Sequence, residues 1–328
     1  MSGIYFMVQQ VNKAMKPISH QNIQKKADGL FRYLTALCAL VVLALMVGIF
    51  WALLSNSQLA IRRFGFRFLV SQAWNPVTQE FGAASSIYGT LVSTAIALIL
   101  AVPLSLAIAI FLVELAPPAL GRVAGYGIEL LAAIPSIIFG MWGLFVFAPF
   151  MADHVQPALN KTLGFLPFFQ GPPMGIGMLT AGIILALMIL PFISAVARDV
   201  FRMVPPVLKE SAYGLGSTNW EVTHKVTISY GLRGLLGATF LGLGRAIGET
   251  MAVTFVIGND HTISKSLFAA GNSIASTLAN EFAEASEPLY LSALVKLGLV
   301  LFVITILIQI VAQLWLKRIG KSLGGGGL

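Results

Sequence analysis

Long apolar runs alternate with short polar connectors along this chain, and the runs are too long and too continuous to be one face of soluble helices. A helix needs about 20 mostly apolar residues to cross the hydrocarbon of a bilayer. Six stretches qualify, at 33–54, 88–113, 128–150, 175–197, 235–257 and 289–316. The second and the last are long enough to tilt or to extend beyond the bilayer. Proline falls inside three of them, at Pro103, Pro135 and Pro191. Each removes a backbone donor and predicts a kink, which neighbouring helices can tolerate by re-satisfying the backbone. The pattern predicts an all-α, polytopic membrane bundle of six transmembrane helices.

The connectors differ in character. Residues 152–174, with LPFFQGPPMG, read as a turn-rich cap. Residues 259–288 contain GNSIASTLANEFAEASEP, which predicts a short amphipathic helix with an acidic end at Glu281, Glu284 and Glu287. That helix is either an exposed docking surface or a solvated connector. The stretch RRFGFRFLV carries Arg62, Arg63 and Arg67 and reads as an anchor at the headgroup surface. Residues 198–234 are long for an inert loop. Within them ESAYGLG predicts a short helix ending at Gly214 or Gly216. STNWEVTHKV predicts a second, with Ser217 or Thr218 as N-cap and Trp220 and Val222 as apolar contacts. Two short helices divided by a glycine break suit docking into a groove on a soluble partner.

Composition agrees with the pattern. The chain is 57% hydrophobic and 10% charged, with a mean hydropathy of +0.85, whereas soluble domains carry about 25% charged residues. An integral membrane protein in contact with lipid follows. The net charge of +8 does not form a nucleic-acid patch, because the basic residues sit mostly at the ends of the apolar runs. With the N-terminus inside, 14 Lys and Arg lie in cytoplasmic segments against 5 outside, namely Arg62, Arg63, Arg67, Lys161 and Lys265. Both termini are therefore expected in the cytoplasm. Residues 1–32 form a cytoplasmic segment, 33–316 the membrane domain and 317–328 a cytoplasmic tail, with GGGGL flexible at its end. The polar, basic start and the length of the first run do not match a cleavable signal peptide, and Met7 or Met15 could serve as the start. The single Cys38 excludes an internal disulfide and reads as a small buried residue.

Little points to catalysis. Gly320-Lys321-Ser322 lacks the leading glycine of a phosphate-binding loop, since position 315 is Trp. GLGRAIG at 242–248 has Ile247 where a dinucleotide fingerprint needs its third glycine, and it lies inside an apolar run. Gly244 and Gly248 fit close helix contact better. His20, His154, His224 and His261 fall in connectors or tails, and no metal-ligand spacing occurs. No enzyme activity and no cofactor are expected.

The fifth run holds two charges. Arg245 sits about ten residues in, near mid-bilayer, and Glu249 follows four residues later, on the same face if the helix is continuous. A central Arg costs about 2.5–3.5 kcal/mol to insert and normally faces the bundle interior or a water-filled path. The two either fix helix packing as a structural pair or contact an oxyanion in transit, for which the guanidinium fork is suited. In the second case Glu249 would hold Arg245 while the path is empty.

The segment Glu210-Ser211-Ala212-x-x-x-Gly216 resembles the EAA-x-x-x-G motif of ABC importer permeases, with Ser211 in place of the second-position alanine and Ser229 in place of a later proline. GLGRAIGETMAVTFVIGN, with SAYGLG before it and GNSIASTLANEFAEA after it, is similar to the phosphate-specific transport permeases of the PstC type. That resemblance implies a MetI-like ABC importer permease fold in a bacterial inner membrane. It implies a PstA-type permease as heterodimer partner, two PstB-type ATPase subunits and a PstS-type phosphate-binding protein. It places Glu210, Ser211, Ala212, Gly214 and Gly216 in ATPase coupling, and Arg245 and Glu249 on the phosphate path. Permeases for sulfate or molybdate and ion-driven secondary transporters remain the alternatives, because an Arg fork hardly separates tetrahedral anions.

Overall fold

The computed structural model describes residues 20–323, with side chains over 28–318. Readings placed on 1–19 and on the GGGGL end lie outside the described residues. The helices are α1 His20–Asn56, α2 Gln58–Phe64, α3 Arg67–Val70, α4 Ala84–Leu115, α5 Pro118–Ala132, α6 Ser136–Leu163, α7 Met178–Arg202, α8 Pro206–Gly214, α9 Asn219–Ile247, α10 Met251–Val256, α11 Ile274–Glu281 and α12 Pro288–Leu323. One hairpin of two-residue strands, β1 Trp74–Asn75 and β2 Glu80–Phe81, pairs antiparallel. The helix up to Ala52 is one unit, and the chain from Leu53 onward is another.

Among the described residues six helices are long and apolar enough to cross a membrane: most of α1, then α4, α6, α7, α9 and α12. The second unit is built around α7. Its Ile184, Leu185, Ile189 and Ile193 are fully buried against Ala97 and Ala101 of α4, Ala246 of α9, and Ala252, Val253 and Val256 of α10. Small residues on the surrounding helices let backbones approach where lipid supplies no hydrophobic drive between helices. On the outer faces the roles reverse. Cys38, expected to be buried, is exposed on α1.

The proline expectations divide. α4 runs through Pro103 and α7 through Pro191 without interruption. Pro135 instead ends a helix: α5 stops at Ala132 and α6 starts at Ser136. The residue before a proline is pushed out of the helical region, so the third apolar run is two helices rather than the single one expected over 128–150. α6 then continues through two π-helical stretches to Leu163, so the first half of the expected turn-rich cap is helix. A 3₁₀ turn at Pro167–Phe169 and left-handed Gly171, Gly175 and Gly177 supply the turns after it.

The fifth run is displaced too. α9 starts at Asn219 and ends at Ile247, earlier at both ends than the expected 235–257. Consequently STNWEVTHKV is not a separate short helix but the first turns of α9, passing through a π-helical stretch at Val222–Ile228.

The bundle has two distinguishable ends. The hairpin end carries α2, α3, the hairpin and residues 259–287, held by one polar knot. Glu281 accepts hydrogen bonds from Trp74 Nε1 at 2.6 Å and Tyr290 Oη at 2.7 Å, and meets His261 Nε2 at 3.1 Å. The His261 ring stacks on Trp74 with centroids 5.3 Å apart. Burial pushes the Glu281 carboxyl up, but the hydrogen bonds from His261, Tyr290 and Trp74 outweigh it and hold it below the usual carboxylate range. Of the helix expected in this connector, Ile274–Thr277 are buried, while Ala279, Asn280 and Phe282 at its far end and Glu284 and Glu287 beyond it are exposed. The first turn of α11 is therefore a packed element rather than a docking surface. The opposite end carries α8 and is described next.

Candidate functional site

Residues of α8 reach the surface because the chain has almost nothing to bury there. Pro205 and Pro206 set its entry, with proline at the first helical position where a missing N–H costs nothing. No residue of α8 is buried. Glu210, Ser211 and Gly214 are exposed and Ala212 is half-buried. The C-terminus is a Schellman motif: Ser217 N–H bonds the Ala212 carbonyl at 3.1 Å and Gly216 N–H the Tyr213 carbonyl at 2.9 Å. That geometry needs the φ of +85° found at Gly216. Gly216 is thus exposed as well as left-handed, and its place in the motif has a backbone cause.

Thr218 then opens α9 with a capping box. Its side chain accepts from Glu221 N–H, and the Glu221 carboxylate accepts from Thr218 N–H at 3.0 Å. Thr218, rather than Ser217, is the cap. The turns around this motif display large apolar side chains to the outside, with Leu215 88% and Trp220 73% exposed and Met203 and Val207 alongside. Large apolar side chains exposed at a polar end of the bundle make this a candidate interaction surface.

One inward tie holds α8 to the bundle. Lys209 Nζ lies 2.6 Å from Glu114 Oε1, at the π-helical end of α4, and the Thr227 hydroxyl bonds the same oxygen at 2.9 Å. Both charged side chains are mostly buried. Removing one partner of such a pair costs about 3–5 kcal/mol because the other is left uncompensated. Glu114→Gln is therefore expected to loosen α8, read as faster limited proteolysis within 206–218. Reversal of the pair, Glu114→Lys with Lys209→Glu, is expected to restore protection. Equal proteolysis of wild type and Glu114→Gln would refute the tie.

The second part of the site lies at mid-depth. At the α8 end, Gly231 and Gly234 of α9 pack on Val200 of α7, and farther along Gly242 packs on Ile193. At the hairpin end, Gly177 N–H bonds the Val256 carbonyl at 2.9 Å. The interruption at Gly248–Thr250, between α9 and α10, therefore falls about midway along α7. The interruption at Ala133–Pro135 falls in the same interval. On one side of it Arg198 pairs with Glu129 of α5 at 2.6 Å, and on the other Gly143 of α6 packs on Ile184. The two half-helices beyond the breaks meet, since Gly140 packs directly on Met251, Ala252 and Phe255. Helices broken at mid-membrane are where backbone groups become available to solutes.

Arg245 lies in the last turn before the second break, and Glu249 lies within it. The helix ends at Ile247, so the expected continuous face shared by the two does not exist. Glu249 turns forward instead: its Oε1 accepts the Ala252 N–H of α10 at 3.2 Å. Arg245 is exposed, and among the described residues it has no ion-pair partner. Gly237, Leu241 and Gly248 continue the same uncovered face, with open space over both glycines within this chain except for the α9 backbone itself. Gly244, beside Arg245, meets Gln309 of α12.

Two features escaped the sequence reading. The break at Ala133–Pro135 was legible as a proline but not as a helix end. Lys296 is a buried cation in the last span, donating to the carbonyls of Gly65 at 2.9 Å and Ala60 at 3.2 Å, with Phe68 beneath it at 4.4 Å. The signal for it was a single basic residue in the first turns of an apolar run.

Comparison with known proteins adds to this geometry. Residues 101–321 match the family model described as binding-protein-dependent transport system inner membrane component. The chain is 54% identical over 301 residues to a protein of Mesorhizobium japonicum named phosphate transport system permease protein PstC, covering 90% of this chain and 92% of that one. A Haemophilus influenzae protein of the same name is 52% identical, covering 90% and 95%. A Methanocaldococcus jannaschii protein named probable phosphate transport system permease protein PstC is 36% identical, covering 93% and 98%. Among solved structures, a bacterial ABC transporter involved in import of the acidic polysaccharide alginate aligns with TM-score 0.60 at 16% identity, covering 90% of this chain and 99% of that one. The inward-facing MetNI methionine ABC transporter aligns with TM-score 0.51 at 18% identity, covering 71% and 92%. These two share the fold.

Proposed function

The chain belongs to the binding-protein-dependent transport inner-membrane components, within them to the PstC-type phosphate permeases, and we propose that it moves phosphate past Arg245 and Glu249 while a separate ATPase works on α8. It is the permease subunit of a phosphate-importing ABC transporter, a multi-pass membrane protein that works with other transporter subunits and a binding protein. In our reading the α8 end and both termini face the cytoplasm, which the excess of basic residues on that side supports. The hairpin end then faces outward in a bacterial inner membrane, where a PstS-type protein delivers its ion.

The observation that carries the proposed path is Arg245, exposed at mid-depth beside a helix break and without an ion-pair partner among the described residues. A guanidinium there does not face hydrocarbon at a cost of about 2.5–3.5 kcal/mol. Its face, opened by Gly237 and Gly248, is closed in the working complex by a PstA-type permease that leaves a water-filled path between the two chains. Arg245 contacts the phosphate oxyanions, while Glu249 keeps the second half-helix capped and opposes tight binding of a multivalent anion. At the cytoplasmic end, two PstB-type subunits hydrolyse ATP; the one beneath this chain receives α8, Leu215 and Trp220 in a groove. The Lys209–Glu114 pair passes its movement to α4.

The test is uptake of radiolabelled phosphate by vesicles holding the four-component complex. Uptake is expected only with ATP on the α8 side and binding protein on the other, and an excess of sulfate or molybdate is expected not to compete. Uptake driven by an ion gradient without ATP, or competition by sulfate, would overturn the proposal.

A further inference from the structure

The three arginines at the hairpin end stand on the side where the charge bias predicts few basic residues, and the transport path does not use them. Arg62 and Arg63 lie on α2 and Arg67 opens α3; all three are exposed. Among the described residues no carboxylate comes within ion-pair distance of them, although Glu287 and Glu80 share shallow clefts with them. Between them the chain turns at Gly65 and presents Phe66, 89% exposed, followed by Leu69 and Val70.

Immediately below is a groove of about 500 Å³, lined by apolar side chains and Lys296. It starts at Ile61, Gly65 and Leu69 and descends α12 from Lys296 past Val303 to Leu307. The eleven steps of helix from Lys296 to Leu307 rise about 16 Å at 1.5 Å each, close to half of a hydrocarbon core about 30 Å thick. The groove therefore runs one leaflet deep. Lys296 does not offer its charge to an occupant, since its ammonium is held by the carbonyls of Ala60 and Gly65; it fixes the turn that roofs the groove.

We propose that this is a binding site for one anionic phospholipid, its phosphate headgroup at Arg62, Arg63 and Arg67 and an acyl chain in the groove along α12. A soluble partner could meet the arginines but could not fill an apolar groove a leaflet deep. A neighbouring helix could fill the groove but would leave three cations at its mouth without counter-charge. A phospholipid with a net negative headgroup supplies both.

The assay is native mass spectrometry of the complex, delipidated in detergent and titrated with dioleoylphosphatidylglycerol or dioleoylphosphatidylcholine. One phosphatidylglycerol per copy of this chain is expected to be retained at least tenfold more tightly than phosphatidylcholine. Three basic residues at an anionic interface are together worth about a hundredfold in affinity. Arg62→Gln with Arg63→Gln and Arg67→Gln is expected to abolish the preference. Val303→Trp, which fills the groove without touching charge, is expected to lower retention of both lipids. Complex mass and the presence of every subunit are read in the same spectra, so a misassembled variant is recognised and replaced by Val300→Trp. Unchanged phosphatidylglycerol preference in the triple variant would overturn the site. So would arginines that retain inorganic phosphate but no lipid, or Val303→Cys that cross-links to a protein chain instead of a lipid probe.

Discussion

Replacing Arg245 with glutamine is expected to reduce phosphate uptake by about ten- to hundredfold while the complex still assembles. The magnitude follows from losing one charge-assisted contact, worth about 1.5–3 kcal/mol, at about 1.4 kcal/mol per factor of ten. Assembly should persist because Arg245 makes no ion pair among the described residues and is exposed at the break rather than packed in the core. Arg245→Lys separates charge from geometry. A point charge keeps the attraction but loses the planar fork, so uptake should fall between wild type and Arg245→Gln. Radiolabelled phosphate uptake, normalised to complex recovered on one affinity tag, measures both. Normal uptake by Arg245→Gln would remove Arg245 from the path.

The second large effect is at Gly216. Proline there cannot reach a φ of +85°, because its ring holds φ near −65°. It also lacks the N–H that bonds the Tyr213 carbonyl. The Schellman turn is then lost, with a cost of about 3 kcal/mol or more, and α8 no longer presents its exposed face. Gly216→Pro is expected to abolish co-purification of the ATPase and with it uptake. Gly216→Ala has open space for its methyl group and bears only the left-handed penalty of about 1–2 kcal/mol, so binding should weaken without vanishing. Gly214→Ala separates backbone from surface: Gly214 is helical and its methyl would also meet nothing in this chain, so any loss of ATPase binding there comes from the docking face rather than from the turn. A Gly216→Pro protein that binds ATPase normally would refute the docking role of α8.

The number of spans was legible because each needs only length and hydropathy, which a sequence states directly. Where a span ends was less legible. Pro103, Pro135 and Pro191 look alike in sequence, yet only Pro135 ends a helix. Pro103 and Pro191 lie within helices that continue through them, α4 and α7. Residue type alone does not decide that. The shift of the fifth span has a local cause. STNWEVTHKV is polar enough to read as a short helix of its own outside the apolar run, but the helix that the Thr218–Glu221 capping box opens continues into α9.

At the site, residue identities were easier to find than relationships. Gly216 carries a backbone signature that survives translation from sequence to structure. Arg245 and Glu249 were visible as charges in an apolar run, but their i, i+4 spacing suggested a shared face that the break at Gly248–Thr250 removes. Lys296 passed unnoticed because its partners, Ala60 and Gly65, are backbone carbonyls more than two hundred residues away. No pattern of side chains announces such a bond.

The paired breaks bear on how freely this part of the scaffold can vary. The floor at mid-depth is contributed by two stretches far apart in the chain, one ending at Pro135 and one at Thr250, whose half-helices rest on each other at Gly140 and Ala252. A side chain added at Gly140 meets the backbone of Met251 and Ala252 and the ring of Phe255, so neither half-helix can be reshaped at this seam alone. Two segments more than a hundred residues apart are therefore expected to change in step, each substitution on one side answered by a fitting one on the other.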